Sequence, residues 1–398
     1  MSLNSITKWV QKTDTRWQRR INPGRSVLVN ARTAMNYAVI APICRAVKDP
    51  RVTFFFTASE QPGAARSIYS ELGEESRLIS PARAALMKFS AYLVADMLWV
   101  TLPRGTRRIM MFHGVAGKYS RIYDCPERSM RDWDRLFFIN KRRMENFYRV
   151  GAIDADSPAA RLVGYPKLDC LVDGSICRED VLNETGIDPS RPTVLYAPTW
   201  SPYSSLNVMG EELVRGLVKA GYAVIVKLHD RSRDRLYEHS GGIDWPARLE
   251  PILRAGGGWL ADGSDASPYM AAADVLITDH SSVGFEYLLL NRPLIRIGIP
   301  ELIAKTDINP DYVDLLKEAS VTVRGVAEAI AAVEKCLSAP AFLSKSRRAV
   351  AEELFYKPGS ATSRAVRELY EVIELDLPEV PTHETEQTKR NVAIGTRP

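Results

Sequence analysis

Three of the five histidines in the sequence, His113, His229 and His280, stand at the ends of short apolar runs. Such runs are typical of strands buried on both faces, and ligands of parallel α/β sheets bind at the carboxyl ends of the strands. A histidine with a pKa near neutrality can deprotonate a hydroxyl group. These positions therefore favour acid–base chemistry in a cleft, with internally hydrogen-bonded histidines as the alternative.

Residues 278–282 lead from an apolar run into an apolar, helix-like segment. Small hydroxyl residues at a helix start cap its free N–H groups, and the helix dipole there favours an anion. We predict that this turn binds a phosphate group, most simply a diphosphate, with one serine acting only as an N-cap as the alternative. The predicted phosphate ligands in it are Asp279, His280, Ser281 and Ser282. Glu286, one turn further on, either reaches a ribose diol or is a solvated helix residue.

Lys227 and His229 alternate at the end of a second apolar run. Burying an unpaired cation is costly, so both side chains are expected to meet an anion or the cleft. Lys227 is therefore a predicted phosphate ligand, and the following Arg231 is a candidate for the acceptor side of the cleft. For His229 the alternative is a core histidine that is hydrogen-bonded internally.

Two further strand ends carry weaker signals. Gly114 follows His113 and allows close approach of backbone or substrate, and with Lys118 it is a candidate for the acceptor side of the cleft. Thr199 and Trp200 follow an apolar run near the middle of the chain. Thr199 is a predicted phosphate ligand and Trp200 could stack on a base, whereas the alternative is a packed interdomain hinge.

The elements that position these residues alternate between strand-like and helix-like runs, which predicts parallel sheets in a doubly wound α/β fold. The predicted strands of the first half are 26–30, 52–57, 96–100, 108–112, 136–139 and 161–163. Those of the second half are 193–197, 223–228, 258–260, 274–278, 293–297 and 321–323. Two such units, facing each other, would form a cleft lined by the carboxyl ends of both sheets.

The chain of 398 residues is long enough for two domains. We predict an N-terminal Rossmann-like acceptor domain (1–175), a linker (176–191), a C-terminal Rossmann-like nucleotide-donor domain (192–362), a C-terminal helix (363–376) and a polar, disordered tail (377–398). Residues 1–25 combine basic and aromatic positions at helical spacing. That pattern predicts a helix on an anionic membrane surface, with an ordinary docked first helix as the alternative.

Composition and missing motifs exclude several function classes. A net charge of +5 is too small to indicate nucleic acid binding, and five scattered cysteines fit a reducing cytoplasm better than secretion. No signal peptide is predicted, and Lys88 and Asp96 interrupt the most apolar stretch, which argues against a membrane span. No P-loop, GxGxxG, HExxH or GxSxG pattern is present. No spacing of acidic residues defines a metal site, so participation of Mg²⁺ stays open.

Five segments together resemble the CDP-glycerol glycerophosphotransferase family, whose members polymerise teichoic-acid and related capsule backbones. The matching segments are His113-Gly114 and residues 164–169, 196–200, 227–229 and 278–282, the last continuing to 287. The resemblance covers roughly residues 108–293. It implies a GT-B fold with the active site between two Rossmann-like domains, His113 and His229 as catalytic residues, and a donor diphosphate held by Asp279, Ser281 and Ser282.

The resemblance also implies a function. The expected reaction transfers glycerol phosphate, or a related polyol phosphate, from CDP-glycerol or a similar donor to a hydroxyl of a lipid-linked or growing cell-surface glycan. A GT-B glycosyltransferase that uses a nucleotide sugar is the alternative, because the same cleft would bind its leaving diphosphate. We expect a cytoplasmic protein and no nucleic acid partner, with peripheral contact to the anionic inner face of the plasma membrane as an open possibility.

Overall fold

The computed structural model describes residues 24–72, 77–98, 105–115, 130–306 and 308–378, together with positions 102 and 126. The predicted helix within 1–25, Lys118 and nearly all of the predicted tail lie outside these residues. Within the described part of the chain, no helix is long and apolar enough to cross a bilayer.

The first sheet has six parallel strands in the order β2-β1-β3-β4-β5-β6. They are β1 (Arg25–Asn30), β2 (Val52–Thr57), β3 (Ala91–Val94), β4 (Arg107–Met111), β5 (Arg135–Phe138) and β6 (Ala160–Leu162). The connecting helices are α1 (Ala34–Ala46), α2 (Ala65–Ile68), α3 (Pro81–Leu86) and α4 (Lys141–Arg149). Short 3₁₀ turns occur at Pro62–Ala64 and Pro166–Leu171.

The second sheet is also six-stranded and parallel, in the order β12-β11-β10-β7-β8-β9. Its strands are β7 (Thr193–Tyr196), β8 (Ala223–Val226), β9 (Trp259–Leu260), β10 (Val275–Thr278), β11 (Leu294–Ile297) and β12 (Val321–Val323). The helices from the connection onward are α5 (Arg178–Thr185), α6 (Glu211–Lys219), α7 (Tyr237–Ser240), α8 (Trp245–Gly256), α9 (Ser267–Ala272), α10 (Ser282–Tyr287), α11 (Pro300–Lys305), α12 (Pro310–Glu318), α13 (Val326–Ser338), α14 (Ser344–Leu354) and α15 (Ala361–Val372). A π-helical turn spans Leu206–Gly210, and 3₁₀ turns span Asp230–Arg233 and Leu288–Leu290.

Adjacent residues of the second sheet belong to two different hydrophobic clusters. Val194 and Tyr196 pack into one cluster and Leu195 into the other, which also contains most of the first sheet's core. Side chains alternate along a strand, so apolar contacts cover both faces of this sheet. The α/β class with two doubly wound sheets is therefore confirmed.

One predicted strand is wrong. The strand expected at 96–100 lies instead at Ala91–Val94, where all four side chains are buried. Both stretches are apolar, so periodicity alone could not choose between them. Because β3 ends at Val94, Asp96 falls beyond the strand, and its carboxylate accepts a hydrogen bond from the Met97 N–H at 2.7 Å. The other predicted strands overlap observed ones with ends shifted by at most two residues.

The chain returns to the first sheet at its C-terminal end. The Tyr370 hydroxyl, on α15, donates to Asp49 at 3.1 Å, and Arg25 donates to the carbonyl of Ile373 at 2.7 Å. Arg135 and Arg161, on β5 and β6, share one carboxylate oxygen of Glu368 at 3.0 and 2.9 Å. The predicted linker contains α5, which packs against α9; the domain limits themselves stay predictions.

Candidate functional site

The predicted donor residues lie at the ends of three neighbouring strands. Thr199 follows β7, Lys227 and His229 follow β8, and residues 279–282 follow β10. Because β7 lies between β10 and β8, the sheet order brings these segments to one edge. The Thr278 hydroxyl also donates to the carbonyl of Ala197 at 2.6 Å, which ties two of the strand ends together.

Ser281 is the N-cap of α10. Its backbone is extended, and its Oγ accepts a hydrogen bond from the N–H of Val283 at 3.4 Å. Ser281 and Ser282 are both half-buried, unlike the strand before them. Capping by Ser281 does not use the Ser282 side chain, so the second hydroxyl is in excess of what the helix start requires.

Asp279 and His280 differ from the serines because both are buried. One Asp279 oxygen accepts from the N–H of Thr199 at 2.8 Å, and the other accepts from the N–H and hydroxyl of Ser205, both at 2.9 Å. The carboxylate is thus already hydrogen-bonded by the loop after β7, and its charge would repel a phosphate. His280 packs edge-on against Phe285 at 6.0 Å between ring centroids. These contacts favour support of the turn over direct phosphate binding.

Lys227 is a buried cation. Its side chain is 5% exposed, and its ammonium donates to the carbonyl of Leu228 at 2.9 Å. Burial lowers the pKa of Lys227 to about 8, because the charged form loses hydration. A phosphate group beside it would favour the charged form and repay that cost.

His229 is exposed, so its alternative interpretation as a core histidine is wrong. Its Nδ1 accepts a hydrogen bond from the N–H of Arg231 at 3.1 Å. The neutral ring must therefore carry its proton on Nε2, which makes that nitrogen a hydrogen-bond donor. The Arg231 guanidinium stacks 4.3 Å above the Trp200 ring, and the ring centroids of Trp200 and His229 are 6.0 Å apart. We call Trp200 and Arg231 the Trp200 platform.

His113, at the end of β4, has the opposite tautomer. Its Nδ1 faces the carbonyl oxygen of Ala95 at 3.2 Å, and a carbonyl can only accept. The neutral ring therefore carries its proton on Nδ1 and its lone pair on Nε2, as a general base requires. Burial lowers the pKa of His113, although the nearby Asp96 carboxylate opposes the shift. The ring is neutral, and ready to accept a proton, at neutral pH.

The loop after β4 is held by Arg143 and Tyr165, neither of which was predicted to be a site residue. Arg143, buried on α4, donates to the carbonyls of Gly114 and Val115 at 2.7 and 3.1 Å. The Tyr165 hydroxyl donates to the carbonyl of His113 at 3.0 Å. The acceptor-side role of Gly114 stays a prediction, and Lys118 lies outside the described residues. No local pattern marks Arg143, because its partners lie 28 and 29 positions away.

An ion pair joins the two sheets beside the site. Lys167, from the first half of the chain, lies 2.8 Å from the Glu286 carboxylate on α10 and 3.8 Å from Asp265. Glu286 is buried, so its interpretation as a solvated helix residue is wrong. A ribose diol that binds the Glu286 carboxylate would have to compete with Lys167. Burial alone would lower the pKa of Lys167, but Glu286 and the other anionic neighbours outweigh it and raise that pKa. Lys167 is therefore charged.

This ion pair also links His113 to the donor residues. Tyr165 donates to the carbonyl of His113. Lys167 lies two positions after Tyr165 and contacts Glu286, which lies on α10 one turn after Ser282. Residues two positions apart lie within about 7 Å along the chain. The structure therefore brings His113 and the turn before α10 to the same interdomain region.

No group of three or more histidine, cysteine, aspartate or glutamate side chains among the described residues is arranged to hold a metal ion. The cations near the strand ends include Lys167, Lys227, Arg143 and Arg231.

Two doubly wound parallel sheets in one chain are the architecture of the GT-B class. Residues 26–371 match the family described as CDP-glycerol:poly(glycerophosphate) glycerophosphotransferase, and the chain belongs to this family. It is similar to the teichoic acid poly(glycerol phosphate) polymerases of Bacillus spizizenii (23% identity over 50% of this chain and 53% of that protein) and Staphylococcus epidermidis (25% over 44% and 24%). The chain thus spans about half and about a quarter of these relatives.

The fold is that of a solved wall teichoic acid polymerase, TagF. The TM-score is 0.67 at 16% identity, covering 94% of this chain and 98% of that one. The same polymerase has also been solved after a soak with CDPG, with a TM-score of 0.62 at 15% identity and the same coverage. The expected GT-B architecture is therefore confirmed.

Proposed function

We propose that the protein transfers glycerol phosphate, or a related polyol phosphate, from a CDP-activated donor to a hydroxyl group of a growing teichoic-acid-type or lipid-linked chain. Membership of the glycerophosphotransferase family and similarity to two teichoic acid polymerases support this proposal. The observation that carries it is the pair of opposite histidine tautomers, with a lone pair on Nε2 of His113 and a proton on Nε2 of His229.

The proposed reaction uses this pair directly. His113 takes the proton of the acceptor hydroxyl on Nε2, and the oxygen attacks the phosphorus of the donor that carries the glycerol. The new P–O bond forms as the bond between the two donor phosphates breaks, and CMP leaves with the bonding electrons. Such transfers depend on positioning and on stabilising the charge that spreads over the phosphate oxygens.

The second sheet supplies that stabilisation. His229 donates from Nε2 to a phosphate oxygen, and Lys227, Ser281 and Ser282 provide a charge and two hydroxyl groups at neighbouring strand ends. Asp279 holds the turn through its three hydrogen bonds and makes no direct phosphate contact. The Trp200 platform offers an aromatic face and a guanidinium beside His229 for the rest of the donor.

Donor choice tests the function. Purified protein is supplied with CDP-glycerol, CDP-ribitol or a UDP-sugar together with a glycerol-phosphate oligomer as acceptor, and the released nucleotide is identified by chromatography. We expect CMP from CDP-glycerol and a longer acceptor by mass spectrometry. Release of a nucleoside diphosphate from the UDP-sugar would instead establish a glycosyltransferase, and binding of none of the donors would refute the donor assignment.

Lys227 makes donor binding proton-linked. At about pH 9 a histidine with an ordinary pKa is neutral. Lys227 is mostly neutral at that pH as well, because burial lowers its pKa to about 8. A diphosphate beside the amine raises that pKa, so binding should take up roughly one proton. Calorimetric titrations with CDP-glycerol in buffers of different ionisation enthalpy measure this uptake. Lys227→Met should abolish the proton uptake. An unchanged uptake in that variant would show that Lys227 does not bind the donor.

A further inference from the structure

Four neighbouring strands of the first sheet each deliver an ionisable side chain to the same edge. In the sheet order β2-β1-β3-β4, these are Glu60, Arg32, Asp96 and His113. The last three each stand two residues beyond the end of their strand. Parallel strands align their carboxyl ends, so equal spacing after the strand places these side chains in a row.

The row is connected from end to end. Arg32 holds Glu60 through two hydrogen bonds of 2.5 and 3.0 Å, and its Nη1 lies 3.3 Å from Oδ2 of Asp96. The same Asp96 oxygen lies 3.9 Å from Nδ1 of His113. The charges of Glu60, Arg32 and Asp96 alternate in sign, and the row ends at the neutral ring of His113, proposed above as the base.

Asp96 is held in one orientation. It is 6% exposed, and its Oδ1 accepts a hydrogen bond from the N–H of Met97, which leaves Oδ2 facing Arg32 and the imidazole. The carbonyl of Ala95, the preceding residue, accepts from Nδ1 of His113. The short segment after β3 thus presents both a carbonyl and a carboxylate to the same ring nitrogen.

We propose that Asp96, held by Arg32, is a positioning residue for His113 that keeps the proton of the neutral ring on Nδ1 and stabilises the imidazolium formed when Nε2 takes the acceptor's proton. The proton comes from the acceptor hydroxyl and stays on Nε2 until it passes to solvent, and Asp96 takes no part in the proton transfer. This inference rests on the proposed function, because it takes His113 as the base.

The other charges around the ring act against protonation. Arg32 approaches from the loop after β1, and Arg143 approaches from α4, where it binds the two carbonyls that follow His113. Both guanidiniums lower the pKa of His113, as burial does to a larger extent, whereas Asp96 raises it. The Tyr165 hydroxyl, from the segment after β6, contacts the backbone carbonyl of His113. Asp96 therefore offsets the local positive charge.

Asp96→Asn tests the proposal because it removes the charge at nearly constant volume. We expect kcat to fall by about 10- to 100-fold while the KM for CDP-glycerol stays unchanged. The acidic limb of the pH dependence of kcat/KM should also move to lower pH, because the imidazole loses an anion that raises its pKa. If Asp96 only stabilised the fold, its substitution would lower the rate without moving the acidic limb of the pH dependence.

Glu60→Gln is the matched control. It makes the same change of carboxylate to amide at the far end of the row, where Glu60 contacts Arg32 and is about half exposed. We expect its rate to stay within about twofold of the wild type. Wild-type-like kinetics and an unmoved limb for Asp96→Asn would overturn the proposal, and so would a rate loss of equal size in both variants.

Two further measurements separate the possible failures. If His113→Gln is inactive and Asp96→Asn is normal, only the role of Asp96 is wrong; if His113→Gln is active, the proposed base is wrong. Should Asp96→Asn not fold, NMR of isotope-labelled histidine in the wild-type protein reads the tautomer of His113 directly. A proton on Nδ1 supports the proposal, and a proton on Nε2 of the neutral ring would overturn it.

Discussion

His113→Gln is expected to reduce transfer of glycerol phosphate by roughly 10²- to 10⁴-fold, the usual contribution of a general base. Donor binding should persist, because the residues proposed to hold the donor lie at the ends of β7, β8 and β10 in the other sheet. The loss should therefore appear in kcat, with the affinity for CDP-glycerol in calorimetric titration close to that of the wild type.

His383→Gln provides the matched control. It makes the same substitution in the polar segment that follows the last helix, and we expect wild-type rates from it. His229→Gln should differ from both, because it removes a donor to the phosphates and so should weaken binding as well as turnover. Full activity of His113→Gln in the CMP-release assay would show that another group accepts the proton.

Lys167→Met is expected to destabilise the protein by about 3–5 kcal/mol, the typical result of removing one partner from a buried ion pair. The substitution leaves the buried Glu286 carboxylate, and Asp265 near it, without the cation that lies between them. Unfolding by urea, followed by circular dichroism, measures the loss of free energy. The rate of glycerol phosphate transfer should fall as well, because Glu286 lies on α10 one turn after Ser282.

Two comparisons make this prediction specific. Arg131→Met breaks the exposed pair with Asp154, whose atoms are 2.8 Å apart, and should lower the stability far less than Lys167→Met does. The double variant Lys167→Met/Glu286→Leu should recover much of the stability lost in the single variant, because no uncompensated charge stays at position 286. Equal losses in Lys167→Met and Arg131→Met would show that the interdomain pair has no special energetic role.

The sequence predicted the alternation of strands and helices well because continuously buried strands are visible as apolar runs. It failed at β3, where two apolar stretches compete and the shorter one forms the strand. That single error also concealed Asp96, since it was assigned to the first position of a strand and not to the segment after one.

Other features of the site depend on contacts that no local pattern records. Lys167 and Glu286 are 119 positions apart, and only the folded chain brings them together. Asp279 was predicted as a phosphate ligand from its place in the turn before α10, and no local pattern indicates that backbone N–H groups of Thr199 and Ser205 donate to its carboxylate. The histidines were easier to place, because each one closely follows an apolar run in the sequence.

The return of α15 to the first sheet has a consequence for synthesis on the ribosome. The carboxylate of Asp169 accepts hydrogen bonds from the backbone N–H groups of Ala361 and Thr362 at 3.0 and 2.7 Å, and so caps the start of this helix. The half of the protein that is translated first thus obtains this packing partner only after residues 361–372 have been made. Until then its exposed apolar surface must be kept from aggregation, so this chain cannot complete its domains one after the other in the order of translation.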